Sequence, residues 1–185
     1  MSKQRWNTLP PDQARRDLEP GLVVLLSTTH KGERAIMTIG WHMMLGYDLV
    51  GAYLWQANRS HALPHASREH VISLPTEGLL ETVVRIGNCS STEQHKFERF
   101  GLTALPSREV DAPGIGECHA RFECHPRETR ITADYPLFVR RIVHAHVASS
   151  PRLPHAMHYR GNGRFMVSGH DVSRRRLFRP DMLEQ

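Results

Sequence analysis

Apolar and β-branched residues fill positions 21–29 (Gly21-Leu22-Val23-Val24-Leu25-Leu26-Ser27-Thr28-Thr29) and stop at the polar run His30-Lys31-Gly32-Glu33. Extended character resumes over 34–41, so the two runs predict a hairpin. Strands are also predicted over 49–55, 71–74, 117–127 and 137–148, and a last hairpin turns at Gly161-Asn162-Gly163 between 158–160 and 164–167. Helical spacing shows at Leu79, Leu80, Val83 and Val84, with Glu81, Thr82 and Arg85 on the other side and an end near Gly87. Short helices are predicted over 12–18, after a Ser60 cap at 61–63, and around Lys96-Phe97, stopping at Gly101. Residues 106–113, bounded by prolines, read as a surface loop. Closely spaced strands joined by tight turns, with a few inserted helices, predict a mainly β protein built as a barrel.

Composition narrows this picture. A chain of 185 residues can bury one substantial core. No apolar run approaches a membrane span, and residues 1–7 lack the apolar core of a secretory signal. Three cysteines, Cys89, Cys118 and Cys124, are too few for a disulfide framework, so a cytoplasmic location is expected. The formal charge of +5 favours anionic partners, and Arg174, Arg175, Arg176 and Arg179 gather much of it near the C-terminus. That cluster is short and has only Phe178 interleaved, so nucleic-acid binding is not expected.

Thirteen histidines raise the question of metal. If the chain between Cys118 and Cys124 is all strand, they stand roughly 20 Å apart at about 3.3 Å per residue, too far for one ion. His144 and His146 share a strand face, and His61 and His65 are helical neighbours, but neither pair has a third ligand at local spacing. No metal is expected.

The segment from Gly87 to Thr103 is the most informative for chemistry. It sets Cys89, Ser90 and Ser91 in a turn and Lys96 at a following short helix, which suits an anion such as a phosphate. The plainer reading of each residue stands beside this one: a Ser-rich cap, Lys96 and Arg99 paired with Glu93 and Glu98 on the surface, and Trp41 as a core residue.

Four segments taken in order resemble the flavin reductase-like family of split-barrel proteins that includes flavoredoxin. They are Ala35-Ile36-Met37-Thr38-Ile39-Gly40-Trp41, Asn58-Arg59-Ser60-His61, the stretch 90–103 with Lys96-Phe97, and Arg160-Gly161-Asn162-Gly163-Arg164-Phe165. The resemblance implies an FMN-binding split β-barrel of six strands over 20–169, with an N-terminal extension at 1–19 and a basic tail at 170–185. It also implies a homodimer, FMN as cofactor (FAD remains open), and NAD(P)H as electron donor. Carried over, the flavin ring rests near Ala35, Ile36, Met37, Thr38 and Trp41. The phosphate lies near Arg59, Ser60 and Lys96, with Cys89, Ser90 and Ser91 around the ring or ribityl chain; Asn58 and Phe165 are further cofactor contacts. The expected activity is hydride transfer from nicotinamide to flavin. The alternatives are a flavoredoxin-like carrier exchanging electrons with a protein partner, and a flavin-free binding module. Two departures stand out: Ala35 where many members have Asn, and Ala133-Asp134-Tyr135 where many have Gly-Asp-His.

Overall fold

The computed structural model describes residues 21–54, 66–67, 69–89, 95–127, 137–151 and 154–180. The helices expected over 12–18 and 61–63, and Tyr135, lie outside the described residues. Strand β1 (Val24–His30) turns through Lys31 and Gly32, both at positive φ, into β2 (Glu33–Ile39). The two pair antiparallel from Val24↔Ile39 to His30↔Glu33, the hairpin that the apolar pattern predicts. Next come β3 (His42–Met44), β4 (Leu49–Tyr53) and β5 (His70–Leu74). A 3₁₀ turn (Glu77–Leu79) leads into helix α1 (Leu80–Gly87), and α2 (Lys96–Arg99) follows. The short β6 (Ala104–Leu105) and β7 (Gly114–Ile115) pair with each other. The long β8 (Ala120–Pro126) and β9 (Leu137–Val147) precede the hairpin of β10 (Met157–Gly161) and β11 (Arg164–Val167).

Seven strands form the main sheet in the order β2-β1-β5-β8-β9-β4-β3. Strands β2 and β3 are the two edges of that order, yet only Gly40 and Trp41 separate them in the chain. Three Cα steps of 3.8 Å reach at most about 11 Å. The sheet must therefore curl until its edges meet, a barrel closed by a covalent link and split where no ladder joins β2 to β3. The resemblance implies six strands; the seventh here is β3, three residues long and half exposed, too brief and too lightly buried to leave a periodic signal.

Alternation along the strands sorts side chains between two cores. Val24, Leu26, Met37, Ile39, Val50, Ala52, Leu54, Ile72 and Cys124 fill one cluster. Val23, Leu25, Ile36 and Ile115 face the other way, against Val83 and Ile86 of α1 and Phe97 of α2. Full burial of Val83 or Ile86 contributes about 1.5–3 kcal/mol each. Val84, assigned to the apolar face by spacing, lies instead on the solvent side, and Ile86 takes the inward position. Helix α2 stops where Gly101 adopts φ +62° and the Leu102 N–H bonds back to the Phe97 carbonyl at 2.8 Å. The 106–113 loop is not simply solvated: Val110 and Ala112 are buried against Val71, and the Ser27 hydroxyl donates to the Pro113 carbonyl at 2.5 Å.

Candidate functional site

Ile36 and Thr38 fall on the outward face of β2, which packs against α1. The Thr38 hydroxyl donates to the Val83 carbonyl at 2.8 Å, so its oxygen remains available only as an acceptor. Just beyond, the C-terminal end of α1 presents carbonyls that no further helical turn can satisfy. Lys96, the first residue of α2, reaches into that gap. Its Nζ donates to the Ile86 carbonyl at 3.1 Å and to the Ile36 carbonyl at 3.0 Å.

The ammonium thus ties strand, helix and turn together while the residue is only 2% exposed. Lys96 is therefore not the surface residue of the plainer reading, and no ion pair joins it to Glu98; Glu93 lies outside the described residues. Burial holds its pKa below the usual lysine value; Cys89 opposes that shift and Arg99 adds to it. The Cys89 thiol is half-buried and points at the same Ile86 carbonyl, 3.7 Å away. Two carbonyls use two of the three ammonium protons, leaving one with no partner among the described residues. Among the described residues no carboxylate makes an ion pair with Lys96.

Ile36, Thr38, Cys89 and Lys96 are thus gathered around one helix end. Ala35 and Met37 are buried in β2, opposite Thr28 and Leu26 of β1. Phe165 sits on the β10–β11 hairpin, partly buried against the cluster holding Ile36 and Ile86, its ring 5.0 Å from that of Tyr159. Asn58, Arg59, Ser60, Ser90 and Ser91 lie outside the described residues. Trp41 is not a core residue: it is 55% exposed at the link between β2 and β3. Its ring stands 5.4 Å from Tyr53, whose N–H donates to the Trp41 carbonyl at 2.9 Å. Tyr53 is a neighbour that the sequence reading missed, because the pairing crosses from the link to β4. Met43, Met44, Leu45 and Tyr47 continue an exposed apolar rim from Trp41.

The other cysteines are poor redox groups. Burial pushes both Cys118 and Cys124 up to about 12, so neither offers a thiolate at neutral pH. No helix among the described residues is long and apolar enough to cross a membrane.

Comparison with known proteins places this geometry. An uncharacterized protein of Archaeoglobus fulgidus is 33% identical over 111 residues, 59% of this chain; the chain spans 63% of that relative's length. Among solved structures, the FMN-binding domain of a flavin reductases-like enzyme from Shewanella baltica superposes with a TM-score of 0.73 at 22% identity, covering 89% of this chain and 95% of its own. Flavoredoxin of Desulfovibrio vulgaris superposes with a TM-score of 0.74 at 19% identity, covering 84% of this chain and 90% of its own. At these identities the likeness is one of fold, the split barrel that the two-residue link between β2 and β3 requires. The model of the flavin reductase like domain matches residues 16–166, and the chain belongs to that family.

Proposed function

We propose that the protein binds FMN and acts as an NAD(P)H-dependent flavin reductase, as a homodimer. The observation that carries this reading is Lys96: a buried cation tied to the β2 backbone at Ile36, with a third proton that no described residue takes, while the exposed Trp41 stands just past the C-terminal end of that strand. An FMN phosphate is near-dianionic and takes cations and fixed donors, while the flavin ring takes an aromatic wall. Lys96 and Trp41 match those two needs. Arg59 and Ser60 are the residues whose side chains would complete the phosphate side, with Ser90 and Ser91 toward the ring or ribityl chain.

When bound, FMN supplies the hydride-accepting centre, so the protein needs no nucleophile or general base of its own. The chain's residues would then hold and shield. Lys96 fixes β2 against α1 through the Ile36 and Ile86 carbonyls, so the backbone of positions 36–38 is set before any ligand arrives. Thr38 is pinned by Val83 and can accept, but not give, a hydrogen bond. Trp41 and the Met43–Met44 pair offer apolar cover against water.

A second reading rests on the same rim. An exposed run of Trp41, Met43, Met44, Leu45 and Tyr47 also suits a protein partner, which would make the protein an electron carrier holding FMN tightly. Visible absorption of the purified protein with FMN, recorded before and after anaerobic NADPH and NADH, separates the two. A bound flavin that bleaches with either nucleotide supports the reductase and identifies the donor. A bound flavin that stays oxidised supports the carrier, and an unperturbed free-flavin spectrum overturns both.

A further inference from the structure

Strands β8 and β9 pair with Glu123 opposite His144 and Cys124 opposite Ile142, so β9 carries one extra residue, Val143. This bulge changes what the second half of β9 faces. Ile142 packs into the cluster that holds Cys124. Strict alternation would send His144 and His146 the same way. The extra residue turns both imidazoles to the opposite face, where Glu123 waits on the neighbouring strand. Donor atoms of Glu123, His144 and His146 all lie within 4.8 Å of one another. His146 Nε2 is 3.0 Å from Glu123 Oε1, and the two imidazole rings meet edge-on with centroids 4.4 Å apart.

We propose that Glu123, His144 and His146 form a binding site for a divalent transition-metal ion of the zinc class, separate from the Lys96 region and on β8 and β9, the third and fourth strands from β2 in the sheet order. Two neutral imidazoles and one carboxylate are a donor set that such ions take. At metal–ligand distances of about 2.1 Å, neighbouring donors on a tetrahedral ion stand roughly 3.4 Å apart. Glu123 and His146 are already close to that spacing, and rotation about the side-chain bonds of His144 brings in the third donor.

The carboxylate is held in place beforehand. Its oxygens accept the Arg108 N–H at 3.0 Å and the Glu109 N–H at 2.6 Å, both from the loop over the sheet. Such outer hydrogen bonds are what orient a carboxylate toward a metal. Three protein ligands leave a coordination position open. His146 also borders a cleft of about 480 Å³ lined by His119, Arg121 and Ala148, which brings open space to one side of the cluster.

The test is a titration of the full-length, chelator-stripped protein with Zn²⁺ against a chromophoric chelator, repeated with Co²⁺ followed by visible absorption. One equivalent per chain is expected, with affinity about 100-fold or more weaker in His144→Ala and in His146→Ala. Circular dichroism of each variant in chelator verifies the fold. Thermal melting supplies a second readout: Zn²⁺ should raise the midpoint of the parent protein but not of the variants. Absence of saturable binding at one equivalent overturns the proposal, as does unchanged affinity in the His144→Ala/His146→Ala double variant. None of these readouts depends on flavin.

Discussion

Two buried charges lie on the outward side of this barrel, and the chain accommodates them by opposite main-chain chemistry. Lys96 is 2% exposed and is held by two carbonyls; Glu123 is 1% exposed and is held by two amides. In both cases backbone dipoles compensate much of the desolvation that isolated burial would incur. They differ in what remains. Glu123 has an imidazole against it and a second nearby, so its charge is shared within the protein. Lys96 has no carboxylate against it among the described residues and keeps a proton to give. The contrast is what the two proposals rest on: an anion beside β2, at one edge of the sheet, and a cation on the β8–β9 pair in its middle.

The comparison breaks most readily at Lys96. Replacement by Met keeps the volume but takes the ammonium from the Ile36 carbonyl and leaves the Ile86 carbonyl only its long contacts with Cys89, at about 1–3 kcal/mol for a group left unsatisfied. A loss of about 3 kcal/mol in urea unfolding is expected, together with weakened FMN binding. An unfolding midpoint equal to that of the parent would show that the ammonium does not hold these elements together. At Glu123, change to Gln removes the charge that the loop amides bind and costs about 2 kcal/mol. Faster hydrogen exchange at Arg108 and Glu109 would locate that loss in the loop.

Titration sharpens the same comparison, since both groups have folded pKa values below their ordinary ones and both make stability rise with pH, in separate windows. The Glu123 contribution is fully present above the ordinary value of 4.5 and is lost as pH falls through its folded value. Glu117, lowered by its bonds to Thr103 despite partial burial, shares that acid limb. Lys96 instead adds stability as pH climbs from its folded value toward 10.5, because the unfolded chain holds the proton longer. Unfolding midpoints measured across pH should lose the alkaline rise in Lys96→Met and only part of the acid rise in Glu123→Gln. The smallest effect on stability belongs to Trp41→Ala, within about 0.5 kcal/mol because the ring is exposed. FMN affinity in the same variant should fall about tenfold, a loss of roughly 1.4 kcal/mol. Unchanged affinity would remove Trp41 from the flavin wall.

What was legible in the sequence follows from where the information resides. The β1–β2 hairpin, α1 and the stop at Gly101 are written in local spacing and turn residues, and they stand where the pattern puts them. The burial of Lys96 was not legible, because its partners are main-chain carbonyls, one of them 60 positions away, and a carbonyl leaves no mark in a sequence. His144 and His146 were recognised as sharing a face. Their third neighbour escaped because it arrives from another strand, across a bulge that no residue type announces. The plainer reading of Trp41 as core fails, although an aromatic at the end of an apolar strand is usually covered. Here it marks the place where the sheet turns back on itself.

That link has a consequence for the order of assembly. Residues 24–53 contain two hairpins, β1–β2 and β3–β4, each of which needs only local contacts. They nevertheless occupy the two flanks of the finished sheet, and β5, β8 and β9 fill the gap between them. A nascent chain that has emerged only through β4 therefore has both rims of the barrel and no wall. Completing the sheet requires the insertion of three later strands between two early ones, with loop closures spanning much of the chain. Until β9 docks, the inward faces of all four early strands stay open to water, which makes that stage the one most exposed to aggregation.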